Sequence, residues 1–111
     1  YVQKLKASCD LPVIKAFSVS SSQDVKNALA FPSDYLLFDH GKGGTGQAFD
    51  WSLLQKTDRP VFLAGGLNPE NVAGAIILTK PYAVDTSSGV ETDHQKDFNK
   101  MKQFIQAVRD L

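Results

Sequence analysis

Cysteine, methionine and tryptophan each occur only once in this sequence of 111 residues. The lone cysteine, Cys9, has no second cysteine in the sequence with which to form a disulfide, which favours a reducing cytoplasm as the compartment. The chain also lacks net charge, because 12 basic and 12 acidic side chains balance. A neutral balance gives no electrostatic support for binding nucleic acid or an anionic membrane, so we expect neither as a partner.

Long apolar runs are missing as well. No segment approaches the roughly 18 apolar residues that a transmembrane helix needs. The first ten residues are not typical of a signal peptide, because Lys4, Lys6 and Asp10 interrupt any apolar region. The chain begins with Tyr1 rather than Met, so we expect that residues upstream have been removed. With 42% hydrophobic and 22% charged residues, the composition predicts one globular domain.

Four short apolar runs rich in strand-forming residues follow one another along the chain. They are residues 12–17, 35–39, 60–65 and 82–85. The apolar residues are continuous rather than alternating within each run. This pattern is typical of parallel strands that are covered on both faces.

Apolar residues spaced three and four apart predict helices between and after these strands. Each predicted helix begins at or near a polar capping residue, namely Ser22, Asp50, Asn68 and Asp97. The third has Pro69 at its first position and must stop before Pro81. The last carries an apolar stripe made of Phe98, Met101, Phe104, Ile105 and Val108. Strands and helices therefore alternate, which predicts a parallel α/β fold, either an open doubly wound sheet or part of a barrel.

Three of the predicted strands end in acids, glycines or hydroxyls. The second ends at Asp39, the third runs into Gly65-Gly66, and Ser87-Ser88-Gly89 follows the fourth. In parallel α/β folds the functional residues lie at the carboxyl ends of the strands. Glycines at these positions let backbone N–H groups approach an anion closely. The two loops together predict a phosphate site. The alternative is that these glycines only turn tight corners.

Two acids are candidates for chemistry at the same strand ends. Asp39 follows four apolar residues, where a carboxyl group is partly desolvated and equipped to donate a proton. The alternatives for Asp39 are an exposed loop acid and a helix-capping acid. Asp85 has the same placement after the fourth strand, but its alternative role is to orient the Ser87-Ser88 turn.

The remaining polar candidates have weaker patterns. Lys15 lies within the first strand, where it either faces a barrel interior and pairs with an acid or is a structural charge. His40 and His94 lack a partner at metal-ligand spacing, so the sequence predicts no metal site. We expect Cys9 to be a small buried apolar residue.

Three ordered segments together resemble the phosphoribosylanthranilate isomerase family. The first holds Phe38-Asp39, a Gly-Gly-Thr-Gly run at 43–46 and a Phe-Asp-Trp run at 49–51. The second is 63–72, from Leu-Ala-Gly-Gly-Leu to Asn-Val, and the third is 84–91 with Lys96-Asp97. The resemblance implies a TIM (β/α)8 barrel of which this chain supplies strands five to eight. Residues 1–111 are then its C-terminal half, a half-barrel of four βα units.

The resemblance also implies an activity. The family carries out the Amadori rearrangement of N-(5′-phosphoribosyl)anthranilate in tryptophan biosynthesis, with no metal or organic cofactor. By motif, Asp39 is the general acid and Asp85 lines the pocket near the reacting amine. The phosphate ligands implied by the motifs are Gly65, Gly66, Ser87, Ser88 and Gly89.

Two family features are absent from the sequence. The general-base cysteine of the family stands in a Lys-x-Cys-Gly motif, which does not occur here, and Cys9 lies in the wrong place to replace it. The arginine that receives the anthranilate carboxylate is also absent, since Arg59 and Arg109 lie outside the matched motifs. We therefore expect a fragment that binds a phosphoribosyl substrate and is inactive alone. It should either self-associate through its open barrel edges or be only marginally stable.

Two other interpretations stay open. One is a different phosphate-binding barrel, such as indole-glycerol-phosphate synthase or the tryptophan synthase α subunit. The other is a non-catalytic half-barrel that binds a phosphosugar or assembles with a partner chain.

Overall fold

The structure is a computed structural model that describes residues 1–39 and 50–111. His40 and the glycine-rich segment 43–46 lie outside the described residues. The helices are α1 (Val2–Ser8), α2 (Ser22–Leu29), α3 (Val72–Thr79) and α4 (Phe98–Arg109). The strands are β1 (Ile14–Ser18), β2 (Tyr35–Asp39), β3 (Val61–Leu63), β4 (Ala83–Val84), β5 (Glu91–Thr92) and β6 (Gln95–Lys96). Short 3₁₀ turns occupy Trp51–Leu53 and Ser88–Val90.

The first four strands form one parallel sheet in the order β1-β2-β3-β4. Each strand thus pairs with its neighbour along the chain, and the order never reverses as it does in a doubly wound sheet. Unbroken sequential pairing of parallel strands is the arrangement of a (β/α)8 barrel. The strand order therefore decides between the two folds that the sequence pattern left open.

The sheet buries one face more completely than the other. On β2, Leu36 and Phe38 are buried, while Tyr35 and Leu37 are half-buried. Leu63 of β3 pairs beside Phe38 and is also buried. The expectation that both faces are covered is therefore wrong for this chain. A barrel interior is filled by side chains from strands on all sides, and the described part of the chain has only four strands in this sheet.

The helix starts differ in two places from those predicted. The cap of α2 is Ser21 rather than Ser22, because Ser21 Oγ accepts a hydrogen bond from the Asp24 N–H and the Asp24 carboxylate accepts from the Ser21 N–H. Helix α3 begins at Val72 and not after Asn68. The Asn68 side chain instead closes a separate turn before the helix, accepting hydrogen bonds from the backbone N–H groups of residues 70 and 71.

The apolar stripe of α4 is only partly correct. Phe104 is buried, and Met101 and Val108 pack against the core. Phe98 and Ile105, however, are 73% and 52% exposed. Successive helical residues are rotated by about 100°, so Ile105 points away from the face that buries its neighbour. None of the described helices is long and apolar enough to cross a membrane.

Lys15 lies on the outer face of the sheet and not in the barrel interior. Alternation along β1 places it on the side of Phe17, which packs against the core. Its Nζ lies 5.7 Å from the centroid of the Phe17 ring and 5.9 Å from that of Phe31. Lys15 is therefore a structural cation that contacts aromatic rings.

Helix α1 and the β5–β6 hairpin were not expected from the sequence pattern. Helix α1 precedes the first strand, and its Lys6 forms an ion pair with Asp34 at 3.1 Å. Strands β5 and β6 form an antiparallel hairpin between the last sheet strand and α4. The hairpin turn consists of Asp93 and His94, which both have positive φ, as a type I′ turn requires.

Carboxylates accept hydrogen bonds from backbone N–H groups at the starts of α2 and α4. Asp97 caps α4, accepting hydrogen bonds from the Asn99 and Lys100 N–H groups. A hydrogen bond from the Thr92 hydroxyl, followed by that from Lys100 N–H, holds the pKa of Asp97 below its ordinary value of 3.8. The pKa of Asp24 is lowered in the same way, chiefly by the Ser20 N–H. These hydrogen bonds stabilise the charged form of each carboxylate, and they exist only in the folded chain.

We predict that acid destabilises the fold through these caps. Because the folded pKa of Asp97 is depressed, its contribution is fully present above about pH 3.8 and is lost as the pH falls through the folded value. The melting temperature should therefore fall as the pH drops below about 4. In Asp97→Asn the drop should be shallower, whereas Asp10→Asn, at an exposed site, should keep the original profile. Identical profiles for Asp97→Asn and the unmodified chain would contradict this account.

Candidate active site

The carboxyl ends of β2, β3 and β4 place the predicted site residues side by side. Backbone hydrogen bonds run from Ala64 N–H to Phe38 O at 2.8 Å and from Asp85 N–H to Leu63 O at 2.9 Å. Asp39, Gly65 and Asp85 therefore lie at the same end of the sheet, where β2, β3 and β4 finish. The Asp39 side chain is half-buried, and Asp85 is exposed. The structure thus brings both acids and the first glycine loop to the same end of neighbouring strands.

The loop after β3 turns on its two glycines. Gly65 and Gly66 have φ values of 87° and 74°, which residues with a Cβ rarely adopt. The side chain of Asn71 fixes the loop, because its Nδ2 donates to Gly66 O at 2.9 Å and its Oδ1 accepts from Asn68 N–H at 2.8 Å. The sharp turn therefore favours glycine at both positions. Because glycine has no side chain, the backbone at this strand end is not covered by one.

The loop after β4 docks directly on the first. Thr86 Oγ1 donates a hydrogen bond to the buried Leu67 carbonyl at 2.6 Å. Gly89 packs so closely that a Cβ on it would lie 1.8 Å from Leu67 O and 2.7 Å from Thr86 Oγ1. Gly89 is therefore needed for close approach. The two loops that were predicted to share a phosphate are in contact through Leu67.

The two serines of the loop after β4 lie beside this contact, near the protein surface. Ser87 is exposed, and Ser88 begins the 3₁₀ turn that ends at Val90. Backbone N–H groups at the start of a helical turn have no partner within the turn and are directed outward. Such groups, beside hydroxyls and a glycine, are suited to bind the oxygens of an anion.

One polar residue at this site had no role predicted from the sequence. Lys96 lies on β6, and the hairpin returns its Nζ to within 3.0 Å of Ser87 O and 3.1 Å of Ser87 Oγ. Its partner is the Glu91 carboxylate at 2.6 Å. The Lys96-Asp97 pair was part of the family resemblance, but the hairpin that brings Lys96 to Ser87 was not expected.

Neither His94 nor Cys9 lies at the carboxyl ends of β2, β3 and β4. His94 is exposed in the hairpin turn, and His40 lies outside the described part of the chain. Within 1–39 and 50–111, no group of three His, Cys, Asp or Glu side chains is arranged to hold a metal ion. Cys9 follows α1, ahead of β1, and is half-buried, with its Sγ donating to Leu5 O at 3.4 Å.

A cleft of about 780 Å³ lies at the other end of β3 and β4, between residues 54–61 and 78–82. Arg59 lines this cleft, but its guanidinium is committed to the backbone of the α2–β2 connection. It donates to the carbonyls of Leu29, Phe31 and Ser33 at 2.5 to 3.0 Å. This end of the sheet carries the amino ends of the strands, where the residues of barrels serve stability rather than chemistry.

Comparison with known proteins identifies the family. Residues 2–107 match the family model described as N-(5′-phosphoribosyl)anthranilate (PRA) isomerase. The chain belongs to the phosphoribosylanthranilate isomerase family. It is 50% identical to the N-(5′-phosphoribosyl)anthranilate isomerase of Caldanaerobacter subterraneus, over 98% of this chain and 55% of that protein. The chain therefore spans about half the length of the relatives that it matches.

Solved structures of the family have the same fold. The phosphoribosyl anthranilate isomerase of Thermotoga maritima superposes with a TM-score of 0.81 at 37% identity, covering all of this chain and 58% of that one. A second structure, of the isomerase in complex with reduced 1-(o-carboxyphenylamino)-1-deoxyribulose 5-phosphate, gives a TM-score of 0.74 at 36% identity, with 99% and 54% covered. The four parallel strands are therefore part of a TIM (β/α)8 barrel.

We predict that Gly89→Ala separates the two loops. The new methyl group would overlap the Leu67 carbonyl, so the backbone must shift, at a cost of about 2 kcal/mol or more in the free energy of unfolding. Gly74 is the matched control, because it lies in α3 and a methyl group added there would have nothing within 4 Å. Gly74→Ala should stabilise the chain by roughly 0.5–1 kcal/mol. Equal unfolding free energies for the two variants would show that the Gly89 contact is unimportant.

Proposed function

We propose that this chain carries the phosphate-binding loops and the general acid of a phosphoribosylanthranilate isomerase of tryptophan biosynthesis. As the C-terminal half of the barrel, it would contact the phosphoribosyl end of the substrate. Family membership supports the reaction, and the local geometry supports the division of roles within it.

The observation that carries the proposal is the contact between the two strand-end loops. Leu67 O accepts from Thr86 and lies against Gly89, so the loop that begins with Gly65-Gly66 is in direct contact with the loop that holds Ser87-Ser88-Gly89. Backbone donors from both loops would then be available to one phosphate group. If the glycines served only to make two independent turns, the two loops would not need to approach each other so closely.

The reacting end of the substrate would lie beside Asp39. In the proposed mechanism, the Asp39 carboxyl protonates the ribose ring oxygen, and the ring opens to a Schiff base. A base then removes the C2′ proton, and the resulting enolamine tautomerises to the ketone. Asp39 and the phosphate loops leave neighbouring strands at the same edge, so a phosphate held at the loops would fix the sugar near the acid.

The base for the second step would come from outside these 111 residues. The Lys-x-Cys-Gly motif of the family does not occur in the sequence. Cys9, the only cysteine, lies before β1 and therefore at the amino ends of the strands, away from Asp39. The acid and the phosphate loops alone would open the ribose ring but would not complete the isomerisation.

We predict that the chain binds inorganic phosphate but does not turn over phosphoribosylanthranilate. Binding should shift the amide resonances of Gly65, Gly66 and the Ser87-Ser88-Gly89 turn in NMR titrations. Turnover should be undetectable, because general base catalysis alone contributes roughly 10²–10⁴-fold to such steps. Absence of the amide shifts would disprove the phosphate site. Steady turnover by the chain would disprove the claim that the general base lies outside these 111 residues.

The role of Asp39 is tested once the base is supplied. Joining this chain to the N-terminal half of the Caldanaerobacter subterraneus isomerase should restore growth to a tryptophan-requiring strain that lacks the enzyme. In that joined protein, Asp39→Asn should reduce turnover by roughly 10²-fold or more. Asp58→Asn, an exposed change at the opposite end of the sheet, should leave turnover unchanged. Phosphate binding without turnover in the joined protein would favour the non-catalytic half-barrel instead.

We also predict that the isolated chain self-associates. Ile14 is 50% exposed on the edge strand β1, and Tyr35 and Leu37 of β2 are only half-buried on the same face of the sheet. An apolar edge and an open sheet face favour pairing with a second chain. Sedimentation should show a concentration-dependent increase in mass that Ile14→Lys reduces. A cooperatively melting monomer at all concentrations would contradict this.

A further inference from the structure

Lys96 connects the β5–β6 hairpin to the loop that carries the proposed phosphate ligands. Its Nζ donates to Ser87 O at 3.0 Å, to Ser87 Oγ at 3.1 Å and to the Glu91 carboxylate at 2.6 Å. A lysine ammonium group has three N–H donors, and these three contacts use all of them. With one acceptor near for each donor, the Lys96 ammonium group is directed to Ser87 and Glu91 rather than to a phosphate oxygen.

The contact with Ser87 decides where the hydroxyl proton points. Because Ser87 Oγ accepts from the ammonium group through a lone pair, its own O–H must be directed away from Lys96. An O–H whose oxygen accepts from a cation is also polarised, which makes it a better donor in turn. Ser87 is exposed, so this hydroxyl is available to an anion at the loop.

The other partners of Lys96 hold it in place. Glu91 balances its charge, and the side chains of Lys96 and Glu91 are 52% and 21% exposed. The backbone of Glu91 is fixed in turn by Lys100 of α4, whose Nζ donates to Glu91 O at 2.8 Å. Asp97 N–H donates to Val90 O, also at 2.8 Å. The start of α4 therefore fixes the hairpin from which Lys96 reaches the loop.

From these contacts we infer that Lys96 is a positioning residue for phosphate, acting through the Ser87 hydroxyl and not as a direct ligand. The inference rests on the proposed phosphate site. It assigns to Lys96 the task of holding the Ser87 backbone and orienting the Ser87 O–H, while Glu91 neutralises the charge that would otherwise attract anions without selectivity.

The first test compares dissociation constants for inorganic phosphate, measured by NMR titration of the 111-residue chain. Lys96→Met should weaken binding roughly tenfold, the effect of losing about one hydrogen bond to an oriented donor. Lys102→Met is the matched control, because it removes the same charge from an exposed position on α4 and should leave the constant within about twofold. Lys96→Arg keeps the charge and several donors, so it should recover part of the loss.

Two further variants separate positioning from direct binding. If Lys96 held phosphate itself, Glu91→Gln would release the ammonium group and tighten binding, whereas positioning predicts no tightening. In a Ser87→Ala background, Lys96→Met should cost much less than it does in the unmodified chain, because the hydroxyl on which it acts is gone. Full additivity of the two changes would overturn the inference.

The outcomes distinguish this inference from the proposed function. If the unmodified chain shows no phosphate-dependent amide shifts, the phosphate site fails and the role of Lys96 fails with it. If the unmodified chain binds phosphate and Lys96→Met binds it equally well at an unchanged melting temperature, only the role of Lys96 is overturned. If Lys96→Met unfolds the chain, two milder variants decide. Lys96→Arg should still bind phosphate more weakly than the unmodified chain, and tighter binding by Glu91→Gln would overturn the inference.

Discussion

The contact of Gly89 with the Leu67 carbonyl is the constraint on which the proposed site depends. It joins two loops that belong to different βα units, and it exists only because residue 89 has no side chain. The Thr86 hydroxyl donates to the same carbonyl at 2.6 Å, so a buried acceptor is satisfied from the neighbouring loop. The hydroxyls, the glycines and the start of the 3₁₀ turn therefore keep one relative position.

That contact in turn depends on the sheet beneath it. Parallel strands that pair in chain order bring consecutive loops to one edge, and the register sets how far each loop extends. Phe38, Leu63 and Leu67 are almost fully buried between the sheet and the helices. Since tightly packed interiors resist small displacements, this core fixes the loop positions that the turn residues alone would leave variable.

The four sheet strands and the residues at their carboxyl ends were predictable from the sequence, whereas some local geometry was not. Continuous apolar runs marked all four sheet strands, and Asp39 was recognisable as an acid that ends one of them. The hairpin was missed because its turn is Asp93-His94, and neither residue is as strong a signal for positive φ as Asn-Gly or Asp-Gly. Lys96 could not be assigned a role until that hairpin placed it beside Ser87.

The errors at helix starts have a common physical cause. A capping side chain satisfies backbone N–H groups wherever they lack partners, in a turn as well as in a helix. Asn68 caps such a turn, and the helix proper begins four residues later at Val72. Lys15 was ambiguous for a different reason. Strand alternation puts Lys15 and Phe17 on the same face of β1, but only the packing shows which face of β1 is turned towards the helices.

The division of the proposed chemistry follows from this architecture. Binding energy from a phosphate group accelerates a reaction only if the group is held at a fixed distance from the reacting atoms. The proposed phosphate loops and Asp39 follow three consecutive strands of one sheet, β2, β3 and β4, so the pairing of these strands sets their spacing. Proton abstraction at C2′ requires a group that faces the sugar from another direction. The open face of the sheet, where Tyr35 and Leu37 are half-buried, is the side from which such a group would approach.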